Sequence, residues 1–406
     1  MKRLGQKLTR QQTRAHNRRL VLRTIYERLE ISRADVARET RLTPTTVSDV
    51  VGELMDRGLV VEIGYGPSEG GKPPILLSVD GDARHLIGID LASDEFCGAV
   101  VNLRGTIRHR ASLALDGQDG EAALALVYDL VDELIAATDS PLLGIGIGTP
   151  GLMDPHDGVV RRAVNLNWQD LPLRRLLQER YHLPVYVAND CHVAALGEYT
   201  FGAGRGAENL VVIKIGHGVG AGIVLNGQPF YGDTFGAGEI GHVTVVENGR
   251  PCRCGNSGCL ETVASARAIV EQAQAIARRE PGSLLHSLAG TPGAITLDAI
   301  SEAVAAGDGA LKAVIDDAGH YLGIAAANLV GVLSPQRMLI AGPAACLGEG
   351  LVDVVEREMT SRSLALVAEG TEIGLSTMGP DIVILGASAL VLIRELGLFG
   401  PLAANV

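Results

Sequence analysis

The first sixty residues alternate between apolar positions at helical spacing and short polar breaks. Leu20, Val21, Ile25 and Leu29 mark one helix over residues 12–30. A second helix, residues 32–39, opens on Ser32 as its N-cap with Asp35 three residues on. Arg41, Leu42 and Thr43 make a tight turn, and Thr43 caps a third helix with Pro44 at its first position, where a missing N–H costs nothing. That helix runs to Arg57, turns Val47, Val50, Val51 and Leu54 inward, and ends at Gly58. Strands at 59–63 and 75–79 follow, joined by the Gly/Pro-rich segment 64–74. Helix, helix, turn, helix, hairpin is the order of a winged helix-turn-helix. From Leu86 the pattern changes. Strands at 86–90 and 98–103 are matched by strands at 210–215 and 221–225, each pair separated by a glycine-rich or polar turn and closed by Gly105 or Gly227. Two such hairpins about 120 residues apart predict a duplicated α/β core with two lobes. A helix at 121–137 and strands at 142–148 and 185–188 fall between them. A long apolar helix at 310–333, a strand at 337–341 and a final helix near 387–396 follow.

Composition agrees with two or three domains. The chain has 406 residues, 47% of them hydrophobic, with only 3% aromatic. Small aliphatic residues and many glycines suit α/β layers with tight strand-to-helix turns. The division expected is residues 1–80 as a DNA-binding domain and 81–406 as a two-lobed body. Charge supports that division. Residues 1–60 hold thirteen Lys and Arg against seven Asp and Glu, a balance of +6, whereas the whole chain carries −12, so the remainder carries −18. A basic module fused to an acidic body fits nucleic-acid binding at one end only. The basic N-terminus is not followed by an apolar core region, so it does not read as a signal peptide. No stretch approaches about 18 uninterrupted apolar residues, so no membrane span is expected and the cytoplasm is the expected location.

Two constellations carry chemistry. On the third helix, Thr45, Thr46, Ser48 and Asp49 lie opposite the Val47/Val50/Leu54 stripe, with Thr43 at its start. Short polar side chains on that face can read base edges in the major groove. Arg33, Arg38 and Arg41 flank it and can reach phosphates, and Lys72, in the wing Gly70-Gly71-Lys72-Pro73, can enter the adjacent minor groove. The plain alternative is a small helical interaction module with a solvated charged face. Further along, Glu239 and His242 are followed by Cys252, Cys254 and Cys259, three of the six cysteines, and then by Glu261. Three thiolates and one imidazole satisfy a tetrahedral Zn2+. All four positions are supplied by the protein, so the ion is expected to be structural, in a motif spanning 242–259. This spacing reads as metal binding in a reducing compartment.

These motifs resemble the ROK family (repressors, open reading frames and kinases), in its winged-helix repressor branch. The resemblance rests on Gly238-Glu239-Ile240-Gly241-His242 and the Cys252–Glu261 segment, and covers the chain from Arg19 to about Leu396. It implies the actin-like, sugar-kinase-type two-lobed fold after the winged helix. It also implies that a sugar sits between the lobes, its hydroxyls held by Asn189, Asp190, Glu239, His242 and Glu261, with Asn165 as a further contact and the turn from Gly148 to Gly151 lining the pocket. Carboxylates and amides suit vicinal hydroxyls independently of the resemblance. His242 would hold the metal through one ring nitrogen and the sugar through the other. His192 and His217 lie near these motifs and are expected to be structural or surface residues.

The resemblance also makes Asp190 the position of the family's catalytic base, so phosphoryl transfer must be weighed. A phosphate cradle needs close backbone approach. The segment Asp90-Leu91-Ala92-Ser93-Asp94-Glu95 lacks the glycines and threonine that the family's kinases carry there, and places two carboxylates where triphosphate would lie. His217 stands where kinases often have Thr, and Pro343 replaces a glycine of the adenosine segment. The expectation is a non-enzymatic, sugar-responsive regulator. It would repress carbohydrate uptake or catabolism genes, bind operator DNA as a homodimer or dimer of dimers, and be released by a small sugar effector. The alternatives are an active ATP-dependent sugar kinase and a regulator controlled by a protein partner.

Overall fold

The computed structural model describes residues 9–67, 72–92, 94–280 and 283–399. Helix α1 (Arg10–Arg28) opens on a reciprocal cap in which Thr9 and Gln12 each accept the other's backbone N–H. A short strand β1 (Ile31–Ser32) leads into α2 (Arg33–Thr40), capped by Ser32. Helix α3 (Pro44–Asp56) starts where Thr43 Oγ1 accepts the Thr46 N–H at 3.2 Å. Strands β2 (Val60–Tyr65) and β3 (Ile75–Val79) complete the wing, in the order β1-β3-β2. The three helices close on Val21, Ile25, Val36, Val47, Val51 and Leu54, all fully buried. Leu54→Ala is expected to cost about 2–5 kcal/mol, read by denaturant titration of the full chain, and to weaken DNA binding with it.

The helical pattern over-ran at one place. Leu29, expected on the buried stripe, is the C-cap of α1 with a left-handed φ of 63° and is 60% exposed. Strand β1 has two residues, too few to produce an alternation.

The body contains two five-stranded sheets. The first is built from β4 (His85–Leu91), β5 (Glu95–Asn102), β6 (Ile107–Ala114) and β7 (Leu142–Thr149), with α4 (Gly120–Ala136) between β6 and β7. A small sheet of β8 (Leu152–Asp154), β9 (Val159–Ala163) and β10 (Trp168–Leu171) and helix α5 (Leu173–Tyr181) precede its last strand, β11 (Val185–Asn189). Helix α6 (Asp190–Thr200) leads to the second sheet, of β12 (Leu210–Ile215), β13 (Val219–Leu225), β14 (Gln228–Pro229), β15 (Arg337–Ala341) and β16 (Glu372–Leu375).

The strand orders are β11-β7-β4-β5-β6 and β14-β13-β12-β15-β16. In each sheet the lobe's first strand is central, the next two lie antiparallel on one side, and the last two lie parallel on the other. The internal repeat expected from the two hairpins is therefore a repeat of whole-lobe topology.

The C-terminal helix Ile382–Leu396 begins five residues earlier than the sequence pattern suggests. Its β-branched start, Ile382-Val383-Ile384, has weak helix propensity, and packing overrides it. This helix lies against β4, β7 and α6 at backbone contact. A β-carbon on Gly146 would run into the Ala387 carbonyl, and one on Gly386 into that of Val193. Its far end joins another core. Val391, Leu392, Leu396 and Leu398 belong to one buried cluster with Val21, Leu22, Ile25, Tyr26 and Leu54 of the winged helix and Leu86 and Leu103 of the first lobe.

Polar contacts reinforce this junction. The Tyr26 hydroxyl donates to the Leu103 carbonyl at 2.8 Å, Arg104 donates to the Tyr26 carbonyl at 2.6 Å, and the Arg104 guanidinium lies 4.3 Å from the centre of the Tyr26 ring. In the joining segment, Asp82 accepts from Asn102 Nδ2 at 3.1 Å and Arg108 Nε at 2.9 Å, and these arginine bonds hold its carboxyl below the usual range.

Candidate functional site

The C-terminal ends of the parallel strands β4, β7 and β11 bring Asp90 beside Gly148 and Thr149 beside Asn189, the edge of an α/β sheet where ligands gather. Asn189 is the N-cap of α6. Its Oδ1 accepts the N–H groups of Cys191 (2.9 Å) and His192 (3.4 Å), and its Nδ2 donates to the Gly151 carbonyl at 3.1 Å. It thereby ties the Gly148–Gly151 turn to the helix, and one amide N–H remains for a ligand. Asp190, the next residue, accepts the Cys191 N–H on Oδ1 at 2.9 Å and the Lys214 ammonium on Oδ2 at 2.7 Å.

Asp190, Glu239, His242 and Glu261 form one electrostatic group. Burial pushes the Glu239 carboxyl up, His242 opposes the shift, and Asp190 and Glu261 add to it. Glu239 Oε2 lies 3.8 Å from His242 Nε2, and Glu261 Oε1 lies 3.8 Å from His242 Nδ1. Asn165 is exposed on the turn Val164–Leu166, between β9 and β10, whose Leu166 is buried.

The same histidine reaches the cysteines. His242, Cys252, Cys254 and Cys259 present ligand atoms that all lie within 4.8 Å of one another. Cys252 Sγ is 3.7 Å from His242 Nδ1, and Cys254 Sγ is 3.7 Å from Cys259 Sγ. Ligands at about 2.3 Å from a tetrahedral zinc have edges of about 3.75 Å, so the cluster has the right size for the ion. Its chemistry fits as well: three thiols and one imidazole are a donor set that a structural zinc takes. Gly258, at φ 71°, passes so close to the Val246 carbonyl that no side chain fits there. With Nδ1 facing the thiols, Nε2 of His242 is the nitrogen on the Glu239 side.

His192 is structural, as expected. Its Nε2–H donates to the Ala237 carbonyl at 2.9 Å, its ring packs on Tyr231, and burial pushes its pKa down. His217 does more. Its Nε2 is 2.7 Å from Asp94 Oδ2, so the turn after β12 and the turn after β4 are joined across the two lobes at the position expected for phosphates. Ser93 of that segment lies outside the described residues. Pro343 begins the short helix Pro343–Leu347 directly after Gly342.

At the winged helix, Thr45, Ser48 and Asp49 are exposed on α3 while Thr46, bonded to Thr43, is half-buried. Arg41 is exposed in a left-handed C-cap, and Lys72 is exposed beside the wing, whose Gly70 and Gly71 lie outside the described residues. Arg33 is paired with Glu62 at 2.9 Å and Arg38 with Asp35, so both must exchange a carboxylate for a phosphate to contact DNA.

Lys214 is absent from the residues that the sequence motifs mark. The available signal was a lone charge inside the apolar strand 210–215.

Residues 86–394 match the model of the ROK family. A xylose repressor of Caldicellulosiruptor bescii is 34% identical over 93% of this chain and 95% of its own length. A glucokinase of Halalkalibacterium halodurans is 37% identical over 77% of this chain and 96% of its own. A solved ROK family transcriptional regulator, a homologue of the Escherichia coli Mlc protein, superposes with a TM-score of 0.83 at 29% identity, covering 95% of this chain and 98% of that one. With an N-terminal winged helix ahead of a duplicated two-lobed body, this chain belongs to the ROK family, in its transcriptional-regulator branch.

Proposed function

We propose that this protein is a sugar-responsive DNA-binding repressor of carbohydrate uptake or catabolism genes, with residues 1–80 binding operator DNA and residues 81–406 sensing the sugar. The observation that carries this reading is the pairing of two sites in one chain. A winged helix with Thr45, Ser48 and Asp49 exposed on α3 is fused to a body in which Asp190, Glu239, His242 and Glu261 converge beside a His/Cys3 cluster. In this reading Asn165 and Asn189 complete the hydroxyl-binding set. Zn2+ is held by His242, Cys252, Cys254 and Cys259, where it fixes the loop that carries the sugar residues. Thr43, Thr45, Thr46 and Ser48 meet the major groove, Arg33 and Arg41 the phosphates, and Lys72 the minor groove.

The mechanism follows from the junction. A ligand shifts an equilibrium only by binding one state more tightly. Sugar bound between the lobes favours one lobe arrangement, and the winged helix, sharing its core with the first lobe, moves with it. In a dimer this changes the spacing of two recognition helices relative to operator half-sites. Operator gel shifts titrated with D-xylose, D-glucose and N-acetylglucosamine test the proposal. A sugar that binds the protein without changing its DNA affinity would sink it. Arg41→Ala is expected to weaken operator binding and to reduce the slope of log affinity against log salt by about 1.

The similarity to a glucokinase favours a second reading, ATP-dependent sugar phosphorylation by Asp190 as base. Against it stand Asp94 and His217, paired where phosphates would lie. Sugar-phosphate formation from ATP over the same sugars separates the two. A regulator controlled by a protein partner would leave every sugar silent in a thermal-shift assay. Among the described residues no helix is long and apolar enough to cross a membrane.

A further inference from the structure

Lys214 interrupts the apolar strand β12, and its side chain is only 17% exposed. Its ammonium lies 2.7 Å from Asp190 Oδ2. The strand belongs to the second sheet, whereas Asp190 opens α6 directly after β11 of the first. A second carboxylate is near enough to interact with the pair. Asp90, on β4 of the first sheet, has a buried Oδ1 with no hydrogen-bond partner among the described residues. Burial pushes its carboxyl up to about 6, with Lys214 pulling it down and Asp190 pushing it further up. Burial works against the Lys214 ammonium too, yet Asp190 and Asp90 together hold it above its ordinary value. One cation from the second lobe therefore serves two carboxylates of the first.

We propose that Lys214 is a charge lock across the cleft: its ammonium neutralises Asp90 and Asp190 together and fixes the Asp190 carboxylate as a hydroxyl acceptor. The lock rests on the sugar-sensing reading for its purpose and on the buried charges alone for its existence. With an ammonium bound to Oδ2 and a backbone N–H to Oδ1, Asp190 remains able to accept from a sugar hydroxyl through its remaining lone pairs. An oxygen already committed to a buried ammonium is a poor proton acceptor. Lys214 thus suits the site to binding and works against deprotonating a hydroxyl, adding to the altered phosphate turns. It is a positioning residue, acting on the sugar through Asp190.

Removing the cation leaves two carboxylates facing each other with burial unrelieved. A carboxyl whose pKa is raised in the folded protein above its unfolded value, about 3.9 for Asp, contributes no penalty below that value and costs stability as the pH rises through the folded pKa. The other titratable groups facing this cluster are Cys191, Glu239 and His192 around Asp190 and Cys97 beside Asp90. The two thiols are raised by burial, and the imidazole is lowered by it. Both thiols are raised far enough to stay protonated from pH 5.5 to 8, and Glu239 and His192 are present in every variant compared.

The test compares the full-length wild type, Lys214→Met and Lys214→Met/Asp90→Asn by thermal melting from pH 5.5 to 8. The deficit in Tm of Lys214→Met relative to wild type is expected to grow as pH rises. In the double variant it is expected to shrink and flatten, because the second carboxylate is gone. If Lys214→Met fails to fold and the double variant folds, that difference is the same rescue. A deficit independent of pH, or equal in the two variants, overturns the lock and leaves Lys214 an ordinary packing residue. Calorimetric titration with D-xylose, D-glucose and N-acetylglucosamine is the second measurement. The tightest of the three is expected to bind Lys214→Met roughly tenfold more weakly. Sugars silent in every protein, together with the expected melting behaviour, support the lock and overturn the sugar-sensing reading.

Discussion

Cys254→Ser is expected to yield a protein that holds no zinc, still binds operator DNA and no longer responds to sugar. The site is small and its parts are interdependent. Cys254 and Cys259 lie 3.7 Å apart, Cys252 faces Nδ1 of His242, and Nε2 of the same ring faces Glu239. The metal is the element that would hold the ring in that orientation. Structural zinc contributes about 10–16 kcal/mol in peptides that have no other core. Here the second lobe has its own apolar core, so loss of the ion is expected to loosen the loop around residues 239–261 without unfolding the lobe. The winged helix shares its core with the first lobe and the C-terminal helix and not with the second lobe, so operator affinity is expected to stay within a factor of a few of wild type. Metal analysis should give one zinc per wild-type chain and none in the variant. A wild type free of zinc would exclude a zinc site at these residues.

Asp190→Asn is the second large effect. The substitution keeps shape but removes the charge that the Lys214 ammonium meets at 2.7 Å, leaving Asp90 as its remaining carboxylate neighbour. Breaking a buried pair from one side costs about 3–5 kcal/mol, so Tm is expected to fall. A hydrogen bond to a charged acceptor is worth about 1.5–3 kcal/mol, so sugar affinity is expected to drop by about 10- to 150-fold. Calorimetry reads the sugar term, and a gel shift without sugar reads the DNA term, which should be little changed. Wild-type sugar affinity in Asp190→Asn would exclude Asp190 as a ligand.

Much of this was legible in the sequence because the signals were local. Thr43 followed by Pro44 fixes the start of the recognition helix, and the spacing of His242, Cys252, Cys254 and Cys259 fixes the metal cluster. The repeated hairpins gave the two lobes, because strand, turn and strand are neighbours in the chain. What escaped depends on distant partners. Lys214 reads as an interruption of a strand until Asp90 and Asp190 are brought to it from the other sheet. His217 is a surface residue, as expected, but its partner Asp94 lies 123 positions away and only the fold brings them together. Asn189, expected to hold sugar, also caps α6 and holds the Gly151 turn, a contact 38 positions away in the chain. The early start of the C-terminal helix was hidden because its β-branched residues are favoured there only by their packing.

The core shared by Val21, Ile25 and Leu54 with Val391, Leu392 and Leu396 also sets when the winged helix can finish packing. The winged helix is made before the C-terminal helix, and part of its apolar surface is covered by residues made more than 300 positions later. Closing contacts of such sequence separation is slow, and until they form that surface faces water. A chain clipped ahead of the helix Ile382–Leu396 is therefore expected to carry a winged helix whose core is incomplete.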